Sequence, residues 1–150
     1  MRPVHGTASI PVTALLLAVS VLAGCGGARF EYQASGNEYT LESVRRVTAE
    51  VAEPEFKGRP TSDAESLRHD QLVDLRAKGG EAERLATLLT DSFPGESRSV
   101  PYFAEEATVD DHPAWIVMEV WGSAEGELEN TRMWVFDRDT GQVLLATSSR

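Results

Sequence analysis

The sequence predicts an α+β fold, with two or three N-terminal helices packed on a four-stranded antiparallel β-meander. Two observations carry the prediction. Apolar residues up to about residue 93 recur at helical spacing, and from Val100 onward the period changes to two. Helices grouped ahead of strands, rather than alternating with them, are the α+β pattern.

The elements follow in order. Residues 40–52 suit a first helix: Thr40 can cap it, and Leu41, Val44, Val47 and Val51 share a loose helical face. The three valines leave a strand open as the alternative, and Glu53-Pro54 closes the segment either way. Ser62-Asp63-Ala64-Glu65 has the form of a capping box and opens a second helix. Leu67, Gln71, Leu72 and Leu75 lie on its inner face, and Lys78-Gly79-Gly80 stops it. In a third helix Glu81 and Glu83 occupy the positive first turn. Its stripe is Ala82, Leu85, Ala86, Leu89 and Phe93, before the stop at Pro94-Gly95.

Four strands are expected, over about 100–109, 114–121, 131–137 and 142–148. Asp110-Asp111-His112-Pro113 is a tight polar loop, Gly122 to Asn130 a longer acidic one, and Asp137 to Gly141 a turn with Gly141 at positive φ. The central hairpin has one register that pairs favourable side chains. It sets Glu119 opposite Arg132, Val117 opposite Trp134, Trp115 opposite Phe136, Ile116 opposite Val135 and Met118 opposite Met133. A slip of one residue would turn every side chain to the wrong face. Both faces of the hairpin are largely apolar in this register. One is expected on the helices. The other, rich in tryptophan, needs a cover: the N-terminal segment, a partner or a ligand.

The first 24 residues differ from the rest. They hold Arg2, no acid, and an apolar run from Ile10 to Ala23 that is too short for the roughly 20 residues of a bilayer span. This is the pattern of a cleaved export signal. Its end, Leu22-Ala23-Gly24-Cys25, resembles the lipobox of bacterial lipoproteins. The resemblance implies cleavage between Gly24 and Cys25, a diacylglyceryl group on Cys25, and an extracytoplasmic domain held at the cell membrane. Two acyl chains anchor stably where one is marginal. The expected organisation is a signal peptide at 1–24, a lipidated tether at 25–38 and a single domain at 39–150. A tether of that length reaches roughly 40 Å, so the domain sits near the membrane surface.

Without residues 1–24 the chain carries 13 basic and 24 acidic side chains, a formal charge of −11. That excludes an electrostatic nucleic-acid footprint and adhesion to anionic lipid heads. Cys25 is the only cysteine, so no intrachain disulfide can form.

Motifs for chemistry are scarce. His69-Asp70 and Asp110-Asp111-His112 lack metal-ligand spacing, and no metal or cofactor is expected. There is no nucleophile elbow and no phosphate-cradling loop. Glu105 and Glu106 are neighbours on one strand and point to opposite faces, so they cannot act together. Glu119 is the acid of interest, set among Val117, Trp121 and Trp134 with Arg132 opposite. Trp115, Trp121, Trp134, Phe136, Glu119 and Arg132 make up the candidate binding surface; the alternative is that they fill the core.

The ending Trp134 to Leu144, an aromatic strand, an Asp-x-x-x-Gly turn and a Val-Leu return, resembles the closing hairpin of PepSY-type envelope domains. The order of helices then meander is similar to cystatin-like and NTF2-like cones. Neither resemblance carries function. The leading expectation is a non-enzymatic lipoprotein domain that binds a protein or another envelope component. The alternatives are a carrier or sensor of a small hydrophobic ligand, and a small hydrolase using Glu119 or Asp110/Asp111.

Overall fold

The computed structural model describes residues 28–92 and 98–149. Cys25, the export signal, Phe93 and the Pro94-Gly95 stop lie outside them. The class is α+β, but the sheet has five strands and is mixed, in the order β1-β2-β3-β4-β5. β1 (Glu31–Tyr39) runs parallel to β2 (Ser99–Val109); β3 (His112–Trp121), β4 (Asn130–Asp137) and β5 (Val143–Ser149) continue as an antiparallel meander.

β1 overturns two expectations. Most of the segment read as tether is a strand, and the helices follow it rather than lead the fold. Its polar sequence hid it: seven of its nine residues are exposed, because an edge strand pairs on one side only. The Ala34-to-Asn37 turn signal is a register break inside the strand, with Gly36 at φ +66°, the conformation a bulge asks of glycine. A parallel neighbour then requires a long crossover. Residues 40–98 supply it, and they contain every described helix.

The first helix is shorter than expected: a 3₁₀ turn at Ser43–Arg46 and one α-turn, α1 (Val47–Glu50). Thr40 does start it, since Thr40 and Ser43 exchange amide-to-hydroxyl hydrogen bonds of 2.9 and 3.1 Å. α2 (Ala64–Ala77) lacks its predicted capping box. A 3₁₀ turn at Thr61–Asp63 leads into the helix, and the Asp63 carboxylate is drawn to Arg59 at 2.6 Å. α3 (Gly80–Asp91) buries Ala82, Leu85, Ala86 and Leu89 as its period requires.

The predicted β3–β4 register is observed pair for pair, from Trp115 opposite Phe136 to Glu119 opposite Arg132. The strand alternation then splits the core in two. On one face Ile116, Met118, Val120, Met133 and Val135 meet Val44, Val47, Phe56 and Leu128. On the other Trp115, Val117 and Phe136 meet Phe30, Leu72, Leu75, Leu85 and Ala86. So α2 and α3 cover the tryptophan face, and the segment from 43 to 61 covers the opposite one. Of the covers expected for the tryptophan face, the N-terminal segment contributes Phe30, and α2 and α3 supply the rest. No described helix is long and apolar enough to cross a membrane.

Candidate functional site

The predicted surface divides into two polar clusters, one at each end of β3. At the C-terminal end, Glu119 is buried, and its Oε1 accepts from Arg132 Nε at 2.6 Å and from Trp134 Nε1 at 2.8 Å. Arg132 lies over the Trp134 ring at 4.9 Å and near the Trp121 ring at 5.6 Å. A guanidinium between two indoles, tied to a carboxylate, is satisfied from within. Trp134 also stacks on Phe136 at 5.9 Å. Nearby, Arg68 reaches the carbonyls of Leu89 and Ser99 and ties α2, α3 and β2 together.

The other cluster was not legible beforehand. Glu106 on β2 accepts from the Tyr32 hydroxyl at 2.6 Å and from Arg138 Nη1 at 2.6 Å. Arg138 lies 4.0 Å from Glu81, and Glu81 holds Arg84 at 2.6 Å. Arg84 donates to the Arg138 carbonyl and covers the Trp115 ring at 5.6 Å. The Tyr32 phenol titrates well above the usual range, first because it is buried and next because Glu106 accepts its proton. Tyr32 was missed because β1 was missed. Glu106 shares a face with Trp115, and that much was readable from alternation.

Glu105 occupies the opposite face, as alternation requires. It is buried, and accepts from Ser35, from Asn37 Nδ2 at 2.8 Å and from the Tyr39 hydroxyl at 3.2 Å. All three donors come from β1. The strand thus satisfies Glu105 on one face and Glu106 on the other, which is why a polar strand is held here.

An open groove of about 570 Å³ runs beside the second cluster. Its walls are α3, through Arg84, Thr87, Leu88 and Asp91, and the β4–β5 turn, through Arg138 to Gly141; Trp115 lies at its floor. The turn is rigid. Asp137 accepts from the Asp139 and Thr140 amides at 2.9 and 2.8 Å, and Gly141 takes φ +72°. Those bonds, that from Thr140 foremost, hold the Asp137 carboxyl below its ordinary value of 3.8. A depressed folded-state pKa means stability that is full above 3.8 and lost as pH falls through the folded-state value. Asp137→Ala should therefore be less stable than wild type at neutral pH, and the gap should close in acid. Denaturant midpoints across pH 2 to 7 check this.

The remaining sequence candidates stand apart. Asp110 and Asp111 form the two-residue tip of the β2–β3 hairpin, both at positive φ, as a type I′ turn demands. Asp110 accepts from the Leu41 amide at 3.4 Å. His69 is exposed on α2, and His112 lies 3.3 Å from Asp137. No group of three metal-ligating side chains occurs among the described residues.

No protein-family model, no curated protein and no solved structure matches the chain.

Proposed function

We propose that this chain is a lipid-anchored extracytoplasmic binding module, whose domain engages an envelope protein through the groove beside α3. The observation that carries the reading is the location of open surface. Both sheet faces are filled by the chain's own side chains, and Glu119 is neutralised by Arg132 and the Trp134 indole. The groove between α3 and the β4–β5 turn stays open, with charged walls of both signs, Arg84 and Arg138 against Glu83, Asp91 and Asp139. Arginine is one of the residues enriched in protein-binding hot spots, and two line this groove. A carrier would need an apolar cavity on the tryptophan face, and Phe30, Leu75, Leu85 and Ala86 occupy that space. Anchoring through Cys25 follows from the lipobox resemblance and places the domain at the membrane.

The test separates the two parts. Intact mass of the membrane-extracted protein should show a chain that starts at Cys25 and carries a diacylglyceryl group, which Cys25→Ala lacks; an unacylated wild type would overturn the anchor. Thr87 is exposed on the groove wall, so Thr87→Trp plugs the groove without touching the core. Affinity purification of the lipidated wild type from its own envelope should recover a protein that Thr87→Trp fails to recover. Equal recovery by both would overturn the groove.

A further inference from the structure

We propose, on the groove reading above, that the protein partner enters the groove beside α3 with a basic segment, one that carries several lysine or arginine side chains. The charges in the groove are not equally free. Arg84 and Arg138 line it, and both are held by carboxylates of this chain. Arg84 Nη1 lies 2.6 Å from Glu81, and its Nη2 donates to the Arg138 carbonyl at 3.0 Å. Arg138 Nη1 lies 2.6 Å from Glu106. Glu83, Asp91 and Asp139 line the same groove, and all three are exposed. Among the described residues no cation pairs with any of these three carboxylates. Side chains of both signs are present, but the uncommitted charge is negative.

The placement of the three acids selects among cationic occupants. Glu83, Thr87 and Asp91 follow one another at intervals of four along α3, so the two acids stand about 12 Å apart along its axis. Asp139 belongs to the opposite wall, in the β4–β5 turn. Carboxylates spread over two walls do not converge on one ion, and no group of three metal-ligating side chains occurs among the described residues. A single hard cation needs its oxygens gathered around it, whereas a chain with several cations can meet acids that are spread apart. An anionic occupant, whether nucleic acid or an acidic lipid head, would face like charge. The whole chain adds to the same field, with 24 acidic side chains against 14 basic. Such a field draws a basic partner in and suppresses acidic ones.

Magnitudes set the form of the test. An exposed ion pair changes affinity by about two- to fivefold, so single substitutions would be hard to read and the three acids must be neutralised together.

The experiment uses the full chain, purified in detergent, and a dye-labelled, capped peptide of alternating lysine and serine. Binding is read as fluorescence anisotropy. Glu83→Gln, Asp91→Asn and Asp139→Asn combined should weaken binding on the order of tenfold. Glu125→Gln, Glu127→Gln and Glu129→Gln combined remove as many charges from exposed positions in the loop after β3, and should leave wild-type affinity. A peptide of alternating glutamate and serine should not bind. Equal losses from the two triple variants would mean that bulk charge alone attracts the peptide, and would overturn the proposal. Purification from the envelope separates the basic occupant from the groove itself. Loss of the partner by both Thr87→Trp and the groove triple variant supports the proposal. If Thr87→Trp loses the partner and the groove triple variant recovers it as wild type does, the groove stands and the basic occupant falls. Full recovery by Thr87→Trp removes the groove, and the basic occupant with it.

Discussion

Gly122→Ala should cost about 3 kcal/mol, the upper end for forcing extra atoms into packed structure. Gly122 follows β3 and opens the loop to Asn130. That loop folds back on residues 58 to 61: the Leu128 amide reaches the Arg59 carbonyl at 2.9 Å, the Gly58 amide reaches Leu128 at 3.0 Å, and the Thr61 amide reaches Gly126 at 3.0 Å. The backbone therefore closes over Gly122. A Cβ there would sit 2.1 Å from the Glu127 carbonyl oxygen and 2.5 Å from Thr61 Cγ2. The methyl of Thr61 can be removed, but the carbonyl cannot move without breaking the backbone pairs that cap the first core. Thr61→Ala should therefore fail to rescue Gly122→Ala. Denaturant unfolding of the two single variants and the double variant checks this. A Gly122→Ala protein within 1 kcal/mol of wild type would mean that the loop gives way freely.

The legible part of the fold is the part set by short-range pattern. β2 to β5 and α3 were readable because their periods are clean and their turns hold residues with one conformational use, such as Gly141 at φ +72°. The β3–β4 register was readable because shifting Glu119 away from Arg132 would also bury the wrong side of every neighbour. β1 was not, for a physical reason. An edge strand that pairs in parallel needs no apolar alternation, and its partner lies some 70 residues away in sequence. Ser35, Gly36 and Asn37 look like a linker in isolation. Their task is set by Glu105 and Glu106, which need donors on both faces of the sheet. The same long-range dependence hid the Tyr32–Glu106–Arg138 cluster and the groove beside it. For α2 the capping-box residues Ser62 and Glu65 were present, but a 3₁₀ turn at Thr61–Asp63 moves the helix start to Asp63, which makes no capping bond and pairs with Arg59.

The Glu119 cluster yields the second large effect: Arg132→Ala should destabilise the fold by about 3 kcal/mol, the lower end for breaking a buried pair, since Arg132 keeps some contact with water. The loss has two sources. Glu119 would keep its buried carboxylate, 5% exposed, without its guanidinium and with the Trp134 indole N–H still donating to it. The guanidinium would also vanish from between Trp121 and Trp134, removing packing along with charge. The two sources separate experimentally. Glu119→Gln leaves Arg132 with a neutral acceptor and keeps the amide in reach of the indole, so it should cost less than Arg132→Ala. Replacing both residues together by leucine removes the stranded charge and fills the space, and should recover much of the loss, as buried pairs exchanged for apolar residues usually do. A double-mutant cycle on these variants by chemical denaturation gives the coupling directly. If Arg132→Ala costs under 1 kcal/mol, the pair behaves as an exposed ion pair, and Glu119 regains its standing as a carboxylate free to do acid–base work. If the leucine pair restores stability while leaving partner recovery intact, the cluster serves packing alone, and recognition is left to the groove at the other end of β3.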